Sequence, residues 1–129
     1  MTPTAVRYSV RVLELFRTLP GAGSLRGSPA GIATGESMAL DRGAWVRFEA
    51  RVATGRIVEC RFQAWGCPHL LAAAALAAGR LAHDAAGQAS RCDAASLALE
   101  LDAPAEKMGR LLVVEDAWRA LLFEAARVQ

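Results

Sequence analysis

Apolar residues recur at two periods along the chain, and the switch between them separates helical from strand-like segments. From Ala5 to Thr18, Val6, Val10, Leu13 and Phe16 repeat at helical spacing, as do Tyr8, Val12 and Leu15, and Pro20-Gly21 stops the helix. Residues 20–35 are rich in Gly, Ser, Pro and Ala, which predicts an irregular connection or a weak edge strand. The period then shortens to two. Between Trp45 and Val52, Val46, Phe48, Ala50 and Val52 alternate with Arg47, Glu49 and Arg51. Beyond Ala53-Thr54-Gly55, Val58, Cys60, Phe62 and Ala64 alternate with Ile57, Glu59, Arg61 and Gln63 over Arg56 to Ala64. Two half-buried strands around a short glycine turn predict a hairpin.

From Pro68 onward the chain reads as helical. Pro68 suits the first position of a helix running to about His83. Asp93 is placed to cap a short helix through Glu100. Pro104 then opens a long helix to about Arg127, with Met108, Leu111, Leu112, Val114, Trp118, Leu121 and Leu122 on its apolar stripe. This order predicts an α+β fold, a small antiparallel β-sheet with helices packed on one face. No repeat or boundary divides it, so residues 1–129 read as one domain.

With 129 residues, 53% apolar and 22% charged, the chain has the means to bury a core and does not read as disordered. A net charge of +2 gives no general attraction to nucleic acid or anionic lipid. The longest apolar run, Leu70 to Ala78, is far short of the ~20 residues that cross a bilayer. No basic region followed by a continuous apolar stretch opens the sequence. Cys60, Cys67 and Cys92 make an odd number without tight pairing, which suits a reducing cytosol. A cytoplasmic protein with no nucleic-acid or membrane partner is expected.

The catalytic inventory is thin. There is no P-loop, G-x-G-x-x-G, H-E-x-x-H or paired C-x-x-C, and His69 and His83, the two histidines, have no evident nucleophile partner. No enzyme is expected. Cys60 shares the apolar parity of its strand and reads as a buried thiol, while Cys92 reads as incidental. Trp45 and Trp118 lie on apolar stripes and read as core. Cys67 is different. In Trp65-Gly66-Cys67-Pro68-His69 a strand ends on glycine and a helix begins. The positive end of a helix dipole favours the thiolate, the form that binds metal and accepts sulfur.

Several ordered segments carry a wider resemblance. Tyr8-Ser9 with Leu13 and Phe16 resembles an opening helix, Ala22-Gly23-Ser24-Leu25 a V-G-S-F turn, and Ile32-Ala33-Thr34-Gly35 a V-G-S-G stretch. Gly55-Arg56-Ile57-Val58-Glu59-Cys60-Arg61-Phe62, then Trp65-Gly66-Cys67, resembles G-I-I-E-D-A-R-F-x-x-Y-G-C. Lys107-Met108-Gly109-Arg110, then Glu115-Asp116-Ala117, resembles K-I-H-C…A-E-D-A. Together they resemble the iron–sulfur cluster scaffold family of IscU and the NifU N-terminal domain over nearly the whole chain.

The resemblance implies a cluster, or a zinc ion in its place, held by three cysteines with an aspartate and a histidine. Here the first cysteine, in A-C-G-D, falls on Arg42 of Asp41-Arg42-Gly43-Ala44, and the aspartate on Ala44. An alternative alignment uses Ala33-Thr34-Gly35-Glu36, which also lacks the cysteine and needs a larger insertion. The second cysteine is kept as Cys67, and the histidine and third cysteine fall on Gly109 and Arg110. The family's chaperone loop, L-P-P-V-K, has become Ala103-Pro104-Ala105-Glu106-Lys107, which speaks against binding an Hsp70-type chaperone.

Arginine is always charged, is no ordinary metal ligand and repels a cationic metal. Gly109 costs its helix roughly 1 kcal/mol relative to alanine, with no local gain visible in the sequence. One cysteine cannot hold a cluster, and two chains would supply only two thiolates. No stably bound cofactor is expected, and an iron–sulfur cluster or zinc only with ligands from another chain.

Three readings follow from the resemblance and the residues. In the first, the chain serves iron–sulfur assembly through contacts with a cysteine desulfurase or another assembly protein, without holding a cluster. In the second it is a sulfur acceptor similar to the SufE family, which resembles IscU in fold, with a persulfide on Cys67. In the third it is a non-catalytic anion- or protein-binding module, with Arg42, Arg110 and His69 around a carboxylate or phosphate. Against the third stands plain pairing of these arginines with Asp41, Glu36 or Glu106.

Overall fold

The computed structural model describes residues 8–82 and 92–128. The expected helical residues Ala5–Arg7 and His83 lie outside them. The first helix, α1 (Val10–Thr18), starts later than its periodicity suggests. Ser9 sets that boundary: its Oγ accepts from the Val12 backbone at 3.1 Å and donates to the Leu101 carbonyl at 2.6 Å. Of the two apolar stripes, the core takes Val12 and Leu15, while Val10, Leu13 and Phe16 are exposed.

Three strands follow, β1 (Ile32–Ala39), β2 (Ala44–Ala53) and β3 (Arg56–Trp65), antiparallel in the order β1-β2-β3. The hairpin is as expected. Thr54 and Gly55 both have positive φ, 51° and 73°, as a two-residue hairpin turn with the twist of its strands requires. β1 corrects the expectation of an irregular or weak strand, because it pairs throughout, from Ile32 with Arg51 to Ala39 with Ala44. Its weak composition has a packing cause. A side chain at Gly35 would collide with the backbone of the last helix at Ala117 O and Leu121 N, so glycine lets that helix lie directly on the strand.

β2 keeps its predicted parity, with Val46, Phe48, Ala50 and Val52 buried. β3 does not. Glu59 pairs with Arg51 but Ile57 with Val52, so Val58 is the extra residue of a bulge. Ile57 therefore turns inward and Val58 outward, at 1% and 50% exposure, the reverse of the alternation expected there. The outer face carries charge, with Arg47 within 3.4 Å of Glu36 and 3.6 Å of Glu49. Trp45 also lies on that face, contrary to its expected core position, and its Nε1 donates to Glu36 at 2.6 Å.

The inner face is covered by α2 (Pro68–Leu81) and α4 (Met108–Ala125), with α3 (Ala94–Leu101) packed behind. Pro104 opens a 3-10 turn, Ala105–Lys107, so the long helix begins slightly after its predicted start. Cys92 is more than incidental, being fully buried with its Sγ 3.9 Å from the Ala77 carbonyl. Trp118 is core as expected. The architecture is α+β, a three-stranded antiparallel sheet with helices on one face. Among the described residues no helix is long and apolar enough to cross a membrane.

Candidate functional site

The site is built where β3 turns into α2. Gly66 has φ 151°, and a Cβ there would strike the Leu70 side chain and lie 3.1 Å from the Gly43 carbonyl. Glycine thus makes the corner and lets the loop before β2 press against it. Cys67 follows as the N-cap of α2: its carbonyl accepts from the Leu71 N–H at 3.1 Å, and its thiol makes no capping bond. Cys67 is half-buried, whereas Cys60 and Cys92 are buried. Burial, with smaller help from Cys92, pushes the Cys60 thiol up to about 12, so it stays protonated and inert.

Arg42 ends the 3-10 turn Leu40–Arg42, and Gly43 with φ 61° turns the chain into β2. The Arg42 guanidinium lies across the N-terminal turn of α4, on Gly109. A Cβ on residue 109 would stand 2.6 Å from its Nη1, 2.7 Å from its Cζ and 3.0 Å from its Nε. This corrects the view that glycine brings nothing there, because its missing side chain is the seat of the guanidinium. Arg110 follows at once, and with Lys107 it opposes the protonation of His69. Cys67, Arg42, Gly109 and Arg110 therefore converge on one end of the fold. Ala44 does not join them, since its methyl is buried in the core at the start of β2.

The simple pairing of the arginines fails. Glu36 is engaged by Trp45 and Arg47, and Arg42, Lys107 and Arg110 have no ion pair or hydrogen bond among the described residues. His69, beside Cys67 on the first turn of α2, is fully buried against the Tyr8 ring at 4.9 Å, and neither ring nitrogen has a partner. Burial holds its pKa below the ordinary 6.5, aided by Lys107 and Arg110 and opposed by Glu106. A histidine whose folded pKa is depressed stabilises the fold above its unfolded value, and that stability is lost as pH falls. Stability should therefore drop more steeply below pH 6.5 in the wild type than in His69→Gln. Equal slopes in a melting series down to about pH 5 would remove the histidine from the account.

A cluster or zinc requires three or four thiolate or imidazole donors. The corner offers Cys67, with a guanidinium on Gly109, and no group of three or more His, Cys, Asp or Glu among the described residues is placed to hold a metal. The residues present do not fit either group. Sequence reasoning found Cys67 from its glycine and Arg42 from the resemblance, but missed Gly43 and Lys107 as parts of the corner. Lys107, the only lysine in the chain and two residues before Gly109, was the available signal. A cavity of about 360 Å³, lined by Leu15, Gly21, Cys60, Leu76 and Gly79 among others, lies toward the opposite end of α2.

A three-stranded sheet, a buried helix and a thiol at the glycine corner between them define an α+β domain of the scaffold type. The model of the NifU-like N terminal domain matches residues 7–124, and the chain belongs to that family. Among solved structures it is similar to a candidate iron–sulfur cluster assembly scaffold protein for the SUF system from the thermophilic Fervidobacterium islandicum AW-1. That likeness has a TM-score of 0.68 at 12% identity and covers 92% of this chain and 96% of the other. It is also similar to the N-terminal part of a nitrogen-fixing NifU-like protein from Brucella abortus. There the TM-score is 0.55 at 16% identity, over 92% of this chain and 82% of that one. At such identities the likeness is one of fold. No curated protein matches the chain.

Proposed function

We propose that this chain serves iron–sulfur cluster assembly as a scaffold-family domain that does not hold a cluster itself. Family membership supports the first half of the reading. The observation that carries the second is the Arg42 guanidinium seated on Gly109, beside a corner whose one thiol is Cys67. The protein then acts through contacts, with a cysteine desulfurase or another assembly protein as partner, in the cytoplasm and without enzymatic turnover. Its altered loop before α4 argues against docking of an Hsp70-type chaperone. Anaerobic incubation with ferrous iron and sulfide should give no stoichiometric visible chromophore. A cluster that forms on the wild type and is lost in Cys67→Ser overturns the reading.

A second reading is favoured by the half-buried state of Cys67, which contrasts with the two buried thiols. As a sulfur acceptor, the Cys67 thiolate attacks the outer sulfur of a desulfurase persulfide. The donor's S–S bond breaks, its cysteine thiolate leaves, and Cys67 carries the persulfide. Intact mass after incubation with desulfurase and cysteine should show one added sulfur, absent in Cys67→Ser. An unchanged mass excludes the transfer.

A further inference from the structure

The cations at this corner differ from several others in the protein. Arg47, Arg61, Arg80 and Arg119 each meet a carboxylate within 4 Å, at 3.4, 3.4, 3.6 and 3.0 Å. Arg42, Lys107 and Arg110 meet none among the described residues. Asp41 adjoins Arg42 in sequence and Glu106 adjoins Lys107, yet neither is paired with these three. Arg42 is exposed, and its guanidinium lies over Gly109 with its donors unused among the described residues. Such a planar fork matches an acceptor that offers two oxygens.

Two further observations point to an acceptor. α4 has 18 residues, no acidic residue in its own first turn and no side-chain cap, and the 3-10 turn that runs into it takes the Met108 N–H on the Ala105 carbonyl, so the charge at this end is set by the cationic side chains. His69 is fully buried, within the field of Lys107 and Arg110, with both ring nitrogens unpartnered. Buried polar atoms of this kind are normally satisfied, and a neutral imidazole must donate from one of them.

We propose that this corner binds a small oxyanion, a phosphate or carboxylate group, between Arg42, Lys107 and Arg110 at the N-terminus of α4. The class follows from the donors. Two guanidinium forks favour an acceptor with two or three oxygens in one plane or tetrahedron, and chloride has no such geometry. The inference goes beyond a place in cluster assembly and stands or falls separately from it.

The test uses the full chain, titrated with inorganic phosphate and, separately, with malonate, against sodium chloride of matched ionic strength. Saturable stabilisation is expected, with a rise in Tm of roughly 4 °C at ten times Kd. Saturation by phosphate alone assigns a phosphate group, and by malonate alone a carboxylate. Arg110→Gln should abolish the shift, and Arg47→Gln, on the outer face of the sheet, should keep it. Arg42→Lys keeps the charge but not the fork. It should melt like the wild type in chloride and bind about tenfold more weakly, which separates recognition from folding. A shift no larger than that of chloride, one that never saturates, or one that survives Arg110→Gln overturns the proposal.

Discussion

Adding one methyl group at Gly35 is expected to destabilise this protein by about 3 kcal/mol or more, with a fall in Tm of roughly 10 °C. The new Cβ would meet Ala117 O, Leu121 N and, at 2.6 Å, Leu121 Cα, all of them backbone atoms. No rotamer can relieve such contacts, so either α4 withdraws from β1 or the strand bends away from β2. Both movements open the core where Phe48, opposite Gly35, is fully buried. Gly79→Ala is the matched control. It lies within α2 with open space at its Cβ position, and should be neutral or stabilising by up to about 1 kcal/mol. Urea unfolding of the two variants decides the matter. If Gly35→Ala lies within about 0.5 kcal/mol of the wild type, α4 does not sit on β1 as described.

The second large effect is a gain. The combined variant Arg42→Cys, Gly109→His and Arg110→Cys is expected to retain about one zinc per chain after gel filtration, with Kd below roughly 1 μM, where the wild type retains none. The reasoning is geometric. The guanidinium of residue 42 reaches the Cβ position of residue 109, and the loop carrying residue 42 touches the corner that carries Cys67. Removing the guanidinium vacates the space in which donors from these positions meet. Gly109→His alone should gain no metal, because its imidazole displaces Arg42 while two thiolates are still missing. Zinc content by elemental analysis on folded protein measures both. A folded triple variant without zinc would mean that positions 42, 109 and 110 do not lie around one centre with Cys67.

The legible parts of the fold were those where local pattern and tertiary need agree. β2 alternates cleanly, and each of its four predicted inward residues is buried. Pro68 and the glycine corner announced α2 from the sequence. The failures are equally specific. Ile57 and Val58 are both apolar and β-branched, so nothing in the pattern says which faces inward; the bulge decides it. α1 offered two apolar stripes, and the choice between them rests on contacts with α2 and α3. β1 was obscured because its glycine answers to the backbone of a helix far along the chain. The site shows the same division. Cys67 could be read from its neighbours, whereas Arg42 and Gly109 explain each other only once folding brings them together.

The run of alanines in α2 has a thermodynamic side. Ala72 to Ala75, Ala77 and Ala78 are all buried, at 0 to 2% exposure, yet none has a rotamer to lose when the chain folds. A leucine in such a place forfeits about 0.5–1 kcal/mol of side-chain entropy, and alanine none. This stretch of α2 is thus ordered at the expense of its backbone freedom alone, while the side-chain cost falls on Leu70, Leu76 and Leu81. Its attraction is correspondingly thin, one methyl at a time, and depends on neighbours that come very close. Drift in this sequence should therefore be slowest along α2, where any larger side chain must push apart elements that meet across a single carbon.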